Sequence, residues 1–208
     1  YNASTDPYST ATAAAVPNSW NSELQVALNT TLTGASTSLA ANNAAYDVGH
    51  LFGAFGGGGN AGCIGCVCVN GVASGNGSTK GRGITSPADG VPMGDTFDID
   101  YVAHEFGHQF GANHTFSDGL EGTGVNVEPG SGSTIMGYAG IYNNNVQSNS
   151  DDYFAYRSIL QVQTNLLSKL CPTTTSITHG TPVINAGSDW TIPKSTPFIL
   201  TGSGTDPN

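Results

Sequence analysis

The side chains best suited to chemistry lie in one run, His104-Glu105-Phe106-Gly107-His108-Gln109-Phe110-Gly111-Ala112-Asn113-His114. It reads H-E-x-x-H-x-x-G-x-x-H. On a helix, His104 and His108 leave the same face one turn apart, so both imidazoles can reach one metal ion. Glu105 follows the first histidine directly, which sets its carboxylate beside the ion, where it can take a proton from bound water. Gly111 can adopt the left-handed conformation that ends a helix and turns the chain. That turn would bring His114 back as a third ligand. Three imidazoles with a fourth position open to water make the catalytic arrangement of zinc. A lone H-x-x-x-H is often just an exposed or hydrogen-bonded pair; Glu105, Gly111 and His114 at these offsets separate this run from that reading.

Met136, twenty-two residues beyond His114 and one of two methionines, sits in Ser133-Thr134-Ile135-Met136-Gly137-Tyr138. A soft thioether beneath the imidazoles would give them an apolar floor; the plain alternative is an ordinary core methionine. The two stretches together match the metzincin signature, and the second resembles its Met-turn. By that resemblance Tyr138 comes near the zinc, as an extra ligand or as a donor to the transition-state oxyanion. Astacin-like and serralysin-like metzincins have such a tyrosine, whereas adamalysin-like ones generally lack it. Over roughly residues 1–172, most specifically 98–138, the chain is most similar to bacterial secreted reprolysin-like (adamalysin-like) zinc peptidases. Tyr46-Asp47-Val48-Gly49-His50-Leu51-Phe52 with its following glycines, and Glu128-Pro129-Gly130-Ser131-Gly132, add to that likeness. His114-Thr115-Phe116 also resembles pappalysin-like enzymes.

The resemblance implies an α+β metzincin (zincin-like) catalytic domain, with a twisted mixed sheet, an active-site helix and a lower lobe of loops and one helix. It implies a secreted zinc-dependent endopeptidase acting on proteins or peptides through a zinc-bound water activated by Glu105. Two other functions stay in view: a non-catalytic adhesin or binding module on a degenerate peptidase fold, and a non-peptidase zinc hydrolase. Retention of Glu105 beside three ligands speaks against the binding module, which has no use for a base.

At 208 residues the chain can hold one good-sized core, or one domain and a fragment. The net charge of −10, with only five Lys plus Arg, argues against nucleic acid and anionic membrane as partners, since both need clustered positive charge. No apolar run reaches transmembrane length, and no signal peptide is visible, so an exported form would be a processed one. Low charge with abundant Gly, Ser, Thr and Asn suits a loop-rich extracellular chain, expected to be a monomer. Its 38% apolar content is too high for disorder.

The elements that must position the site follow in order. Residues 1–19 are polar and read as a surface connection. Metzincin domains normally begin with a strand, a long helix and a second strand, so either an N-terminal piece precedes Tyr1 or the upper half is shortened. Trp20, Leu24, Ala27, Leu28 and Leu32 predict an amphipathic helix over 20–33, with Asn18 or Ser19 as N-cap. Tyr46 to Phe55 reads as a strand whose His50 is a hydrogen-bonded core or rim residue outside the site. Residues 62–69 are expected to form the edge strand with which substrate pairs, the role that metzincins give the strand before the active-site helix. Asp95 or Asp98 is a candidate N-cap for that helix. Asp100 either orients His104 or stands solvated. The long loop 115–132, with Asp118, Glu121 and Glu128, is either pinned, possible structural calcium being one means, or a solvated acidic loop. Asp151–Leu170 reads as an amphipathic helix with Lys169 at its negative end, closed by Cys171-Pro172.

Cys63, Cys66, Cys68 and Cys171 make a poor zinc quartet and are expected to form two disulfides, with three pairings open. As Cys171 closes the catalytic domain, one bridge is expected to tie that end to the 63–68 segment. Composition changes after residue 172. We expect a catalytic domain at 1–172, a linker at 173–182, and at 183–208 part of an Ig/PKD-like β-sandwich. In that last part, 182–193 and 198–202 read as two short strands.

Overall fold

The computed structural model describes residues 7–9, 16–32, 38–54, 56–119 and 121–207. The chain divides into two compact units, Tyr1–Pro172 and Thr173–Asn208.

The first unit is mixed α+β. It runs α1 (Val16–Thr31), α2 (Leu39–Ala44), β1 (His50–Phe52), β2 (Gly58–Asn60) and β3 (Gly83–Ser86). A π-helical segment, Thr96–Ala103, then passes without a break into α3 (His104–Phe110), and α4 (Tyr156–Leu167) closes the unit. The strands lie in the order β1-β3-β2, with β1 parallel and β2 antiparallel to β3, so the small sheet is mixed. Asn18 and Ser19 fall inside α1, which begins at Val16, so neither is its N-cap.

The face that α1 buries is more polar than its apolar spacing predicts. Trp20 and Leu24 are buried, but so are Asn21, Gln25 and Asn29, four residues apart along one stripe, while Leu32 is exposed. Each of the three amides has partners. Asn21 Nδ2 donates to the Asn60 and Arg82 carbonyls. Gln25 Oε1 accepts from Thr79 Oγ1 (2.7 Å) and the Gly81 N–H (2.9 Å). Asn29 Nδ2 donates to the Val72 carbonyl at 2.7 Å. Buried amides are tolerated on these terms because an unpaired one would cost about 1–3 kcal/mol. The stripe thereby ties α1 to the loop that enters β3.

β3 is buried along its whole length and is the pivot of the unit. Ile84 packs with Trp20 of α1. Its neighbours point to the other face: Thr85 Oγ1 pairs with His50 Nε2 (2.7 Å), and Gly83 leaves no room for a Cβ against Gln109 of α3. Gln109 then closes the link, with Oε1 on His50 Nδ1 (2.7 Å) and Nε2 donating to the Gly49 carbonyl (3.0 Å). His50 therefore sits in a structural hydrogen-bond net, as expected of a strand histidine. The strand around it is shorter than 46–55, and Phe55 lies outside the described residues.

Two expectations fail here. Residues 62–69 form turns rather than an edge strand. Their amides serve the end of α3: Gly65 N–H donates to the His108 carbonyl (2.8 Å) and Val67 N–H to the Gln109 carbonyl (3.1 Å). The last carbonyls of a helix need outside donors, and this segment supplies them. The sheet has two edges, β1 and β2, and β2 is the one whose Gly59 lies against Glu105. The C-terminal helix also starts later than Asp151, at Tyr156, and exposes Leu160 and Leu167. Val162 turns inward onto Ala112, Ile135 and Met136. Lys169 lies beyond the helix and donates to the Gly65 carbonyl at 2.7 Å.

Both disulfides are formed, Cys63–Cys66 and Cys68–Cys171, so the end of the first unit is tied to the 63–68 segment as anticipated. In the second unit, β4 (Val183–Asn185) pairs antiparallel with β5 (Ser203–Thr205), Val183 opposite Thr205. The second strand thus follows 198–202 rather than occupying it, and no sandwich forms among the described residues.

Candidate active site

The π segment and α3 present one functional face. Asp95 occupies the N-cap position without a side-chain cap hydrogen bond, and Asp98 lies inside the first turn. π-Helical turns are rare and recur at functional sites. At the far end Gly111 takes φ 119°, and its N–H bonds back to the Gly107 and His108 carbonyls (3.0 and 2.9 Å). A Cβ at Gly111 would press on Asn165 of α4, whose Nδ2 donates to the Phe110 carbonyl (2.7 Å). The helix therefore stops there, and three residues later His114 returns to the cluster.

The Nε2 atoms of His104, His108 and His114 lie 3.0–3.1 Å from one another. Nitrogens held about 2.0–2.1 Å from a tetrahedral zinc stand about 3.3 Å apart, close to this spacing. Each opposite ring nitrogen has an acceptor. His104 Nδ1 meets the Ile135 carbonyl and His108 Nδ1 the Ala112 carbonyl, both at 2.7 Å, while His114 Nδ1 meets the Glu121 carboxylate at 2.9 and 3.0 Å. These partners turn each Nε2 lone pair toward the common point. Burial, with neighbouring histidines adding, lowers His104 well below its ordinary range and His108 to about 4. Metal coordination requires this neutral form. The triad could hold a metal ion, and its donor set suits zinc.

Glu105 is buried, 8% exposed, and lines a cleft of about 430 Å³ together with His104, Tyr138 and the β2 glycines. Burial pushes its carboxyl up to about 8, against the pull of a hydrogen bond from the Ala61 N–H. A dication nearby would draw it back toward the ionised form. A Cβ at Gly59 would fall on this carboxylate, so the edge strand approaches Glu105 with bare backbone. Tyr138 packs its ring 4.4 Å from the His114 ring and 5.6 Å from the His104 ring. Burial, with Glu105 and Glu121 adding, raises Tyr138 to about 12, so it remains a hydrogen-bond donor.

Sequence reading missed Glu121 as a partner of His114, and Glu128 as an anchor. Glu128, 8% exposed, accepts from Thr115 Oγ1, Thr134 Oγ1 (2.7 Å) and the N–H groups of Ser133 (3.0 Å) and Thr134 (2.9 Å). It joins the residue after the third histidine to the approach of Met136. The 115–132 loop is thus pinned from within, also by Ser117 and Asp118 N–H groups on the Gly130 carbonyl. Among the described residues it gathers no cluster of three carboxylates of the sort calcium uses. Asp100 does not orient His104, whose Nδ1 is taken by Ile135; it accepts from the Ser150 N–H at 2.6 Å.

An imidazole triad with a flanking carboxylate at the floor of a cleft is the arrangement that metal-dependent hydrolases use. Residues 3–171 match the family model described as metallo-peptidase family M12B, reprolysin-like, and the chain belongs to that family. Membership implies zinc metalloprotease activity on proteins or peptides. No curated protein and no solved structure matches the chain.

Proposed function

We propose that the chain is a zinc-dependent endopeptidase of the secreted bacterial reprolysin-like type, with His104, His108 and His114 as zinc ligands. Glu105 is its general base and Tyr138 its oxyanion donor. The observation that carries this reading is the meeting of three Nε2 atoms within 3.1 Å of one another, one of them on His104, which lines a cleft together with Glu105. Zinc, when bound, supplies a Lewis acid that acidifies water and polarises the scissile carbonyl.

The protein's own groups do the rest. The outer edge of β2 offers main-chain donors and acceptors to an extended peptide, which would run past Glu105 in antiparallel pairing. Glu105 takes the proton of the attacking water onto a carboxylate oxygen and returns it to the leaving nitrogen. Tyr138, kept protonated by burial, donates to the oxygen on which charge develops. The two disulfides support a location outside the cell. Residues 183–208 are read as part of an Ig/PKD-like sandwich, on the strength of the β4–β5 pair.

The test is casein degradation by wild type and Glu105→Gln, with zinc removed by a chelator and then restored. Wild-type cleavage should vanish and return with zinc. Glu105→Gln should keep one zinc and lose about 10²–10⁴ in kcat. Full turnover in the variant would overturn the base assignment, and stoichiometric zinc in a wild type that cuts no polypeptide would favour a non-catalytic binding module.

A further inference from the structure

We propose that Asp100 selects a cationic side chain, lysine or arginine, at a substrate position flanking the scissile bond. This rests on the peptidase reading and names the substrate class for the same cleft. Asp100 precedes His104 by four residues on one continuous helix, roughly 5–6 Å along its axis, and lines the cleft with it. Its carboxylate is fixed in place. The Ser150 N–H donates to Oδ1 at 2.6 Å, and Ser150 itself lines the cleft. Asn149, with its amide turned to suit its neighbours, donates to Oδ2 at 3.2 Å. The Ser150 side chain adds a third hydrogen bond, which still leaves the carboxylate one accepting position for a ligand.

Among the described residues that line the cleft there is no Lys or Arg, and its other carboxylate, Glu105, is occupied as the base. Gly58, Ala88, Gly137 and Ala139 keep its walls small, which leaves room for a long side chain. Burial raises the Asp100 carboxyl above its usual range and Asp95 adds to this, as expected of an acid with no cation beside it. A lysine or arginine stem is long enough to reach from the main chain of a bound peptide to an acid one helical turn from His104, and brings the charge that the cleft lacks.

The experiment uses zinc-loaded protein and matched peptides differing only in lysine or norleucine at each position flanking the cut. Wild type should favour the lysyl peptide at least about tenfold in kcat/KM, as a charge-assisted hydrogen bond in a half-buried site allows. Asp100→Asn keeps the oxygen that accepts from Ser150 but removes the charge. It should bring the ratio toward one and leave the norleucyl peptide within about twofold of wild type. An unchanged ratio in Asp100→Asn, or no lysyl preference in wild type, overturns the proposal. Calorimetric binding of both peptides to zinc-loaded Glu105→Gln, with and without Asp100→Asn, gives a readout independent of turnover. A lysyl preference in binding that Asp100→Asn abolishes, in a protein that cleaves nothing, upholds Asp100 and overturns the peptidase reading. Cleavage with no such preference does the reverse.

Discussion

The sulfur of Met136 lies directly against Gly107, the residue just before His108, with no room between them for a methyl group. Met136 is fully buried. The carbonyl before it, that of Ile135, orients His104, and its own carbonyl accepts from the Thr115 N–H (3.1 Å), next to His114. One turn of chain thus touches the surroundings of all three histidines. Gly107→Ala would drive a Cβ into the thioether. We expect a stability loss of about 1–3 kcal/mol, typical of overpacking, with weaker zinc binding. Thermal unfolding with zinc titration checks this, and an unperturbed zinc affinity would show that Met136 is not a supporting floor.

Gly59→Ala acts on the other side of the site. The added Cβ would land on the Glu105 carboxylate from the edge strand. A displacement on the order of 1 Å of a reacting group can cost about 10²-fold in rate. The variant is expected to lose about that much kcat while holding one zinc. Steady-state kinetics beside metal analysis separates the outcomes, and wild-type kcat would mean Glu105 has slack to move.

How much of this was legible follows from where the information lies. The triad was legible because eleven consecutive residues carry it and helical periodicity with one left-handed glycine brings the ligands together. The edge strand was not. Gly58 and Gly59 have no side chain to show alternation, whereas 62–69, assigned as the edge strand by resemblance, forms turns, with Gly65 and Cys68 at positive φ. The buried stripe of α1 was hidden for a related reason: Asn21, Gln25 and Asn29 look like a solvent face until their partners in the 71–82 segment are known. Glu121 reaches His114 across a loop with no period at all.

Glu121→Ala should leave the triad's helix intact but free the His114 ring. Loss of a carboxylate partner to a metal-bound histidine typically weakens metal binding about 10–100-fold. Competition against a chromophoric zinc chelator measures it, and an unchanged affinity would mean that the Glu121–His114 pair does not support the ligand.

Glu128 makes the fold sensitive to acid. Burial pushes its carboxyl up, but hydrogen bonds from Thr115, Thr134 and the Ser133 and Thr134 N–H groups together pull it below its ordinary range. A group whose folded pKa is depressed contributes stability that is present above the unfolded value, about 4.3, and lost as pH falls through the folded value. Metal-free wild type should therefore be more stable than Glu128→Gln at pH 6–7, by about 1–3 kcal/mol, with the two curves converging below pH 4. Urea unfolding across pH tests it, in metal-free protein so that loss of a bound metal in acid does not overlie the change. Parallel curves would remove Glu128 as the cause.

The two disulfides should differ sharply in what their loss does. Cys63–Cys66 closes a separation of 3 residues, and Cys68–Cys171 one of 103. The chain-entropy account gives about 1.6 kcal/mol for the short loop and about 4.7 kcal/mol for the long one. The long bridge also holds the end of the unit beside the segment whose amides close α3. Cys68→Ala/Cys171→Ala is expected to lower the unfolding midpoint well below that of Cys63→Ala/Cys66→Ala and to weaken zinc binding by loosening the end of α3. The short-loop pair sits in that same segment, at turns whose neighbours Gly65 and Val67 donate to α3. If the smaller entropic constraint caused the larger loss, the local turn geometry at 63–67, rather than closure of the unit, would be what supports the active-site helix.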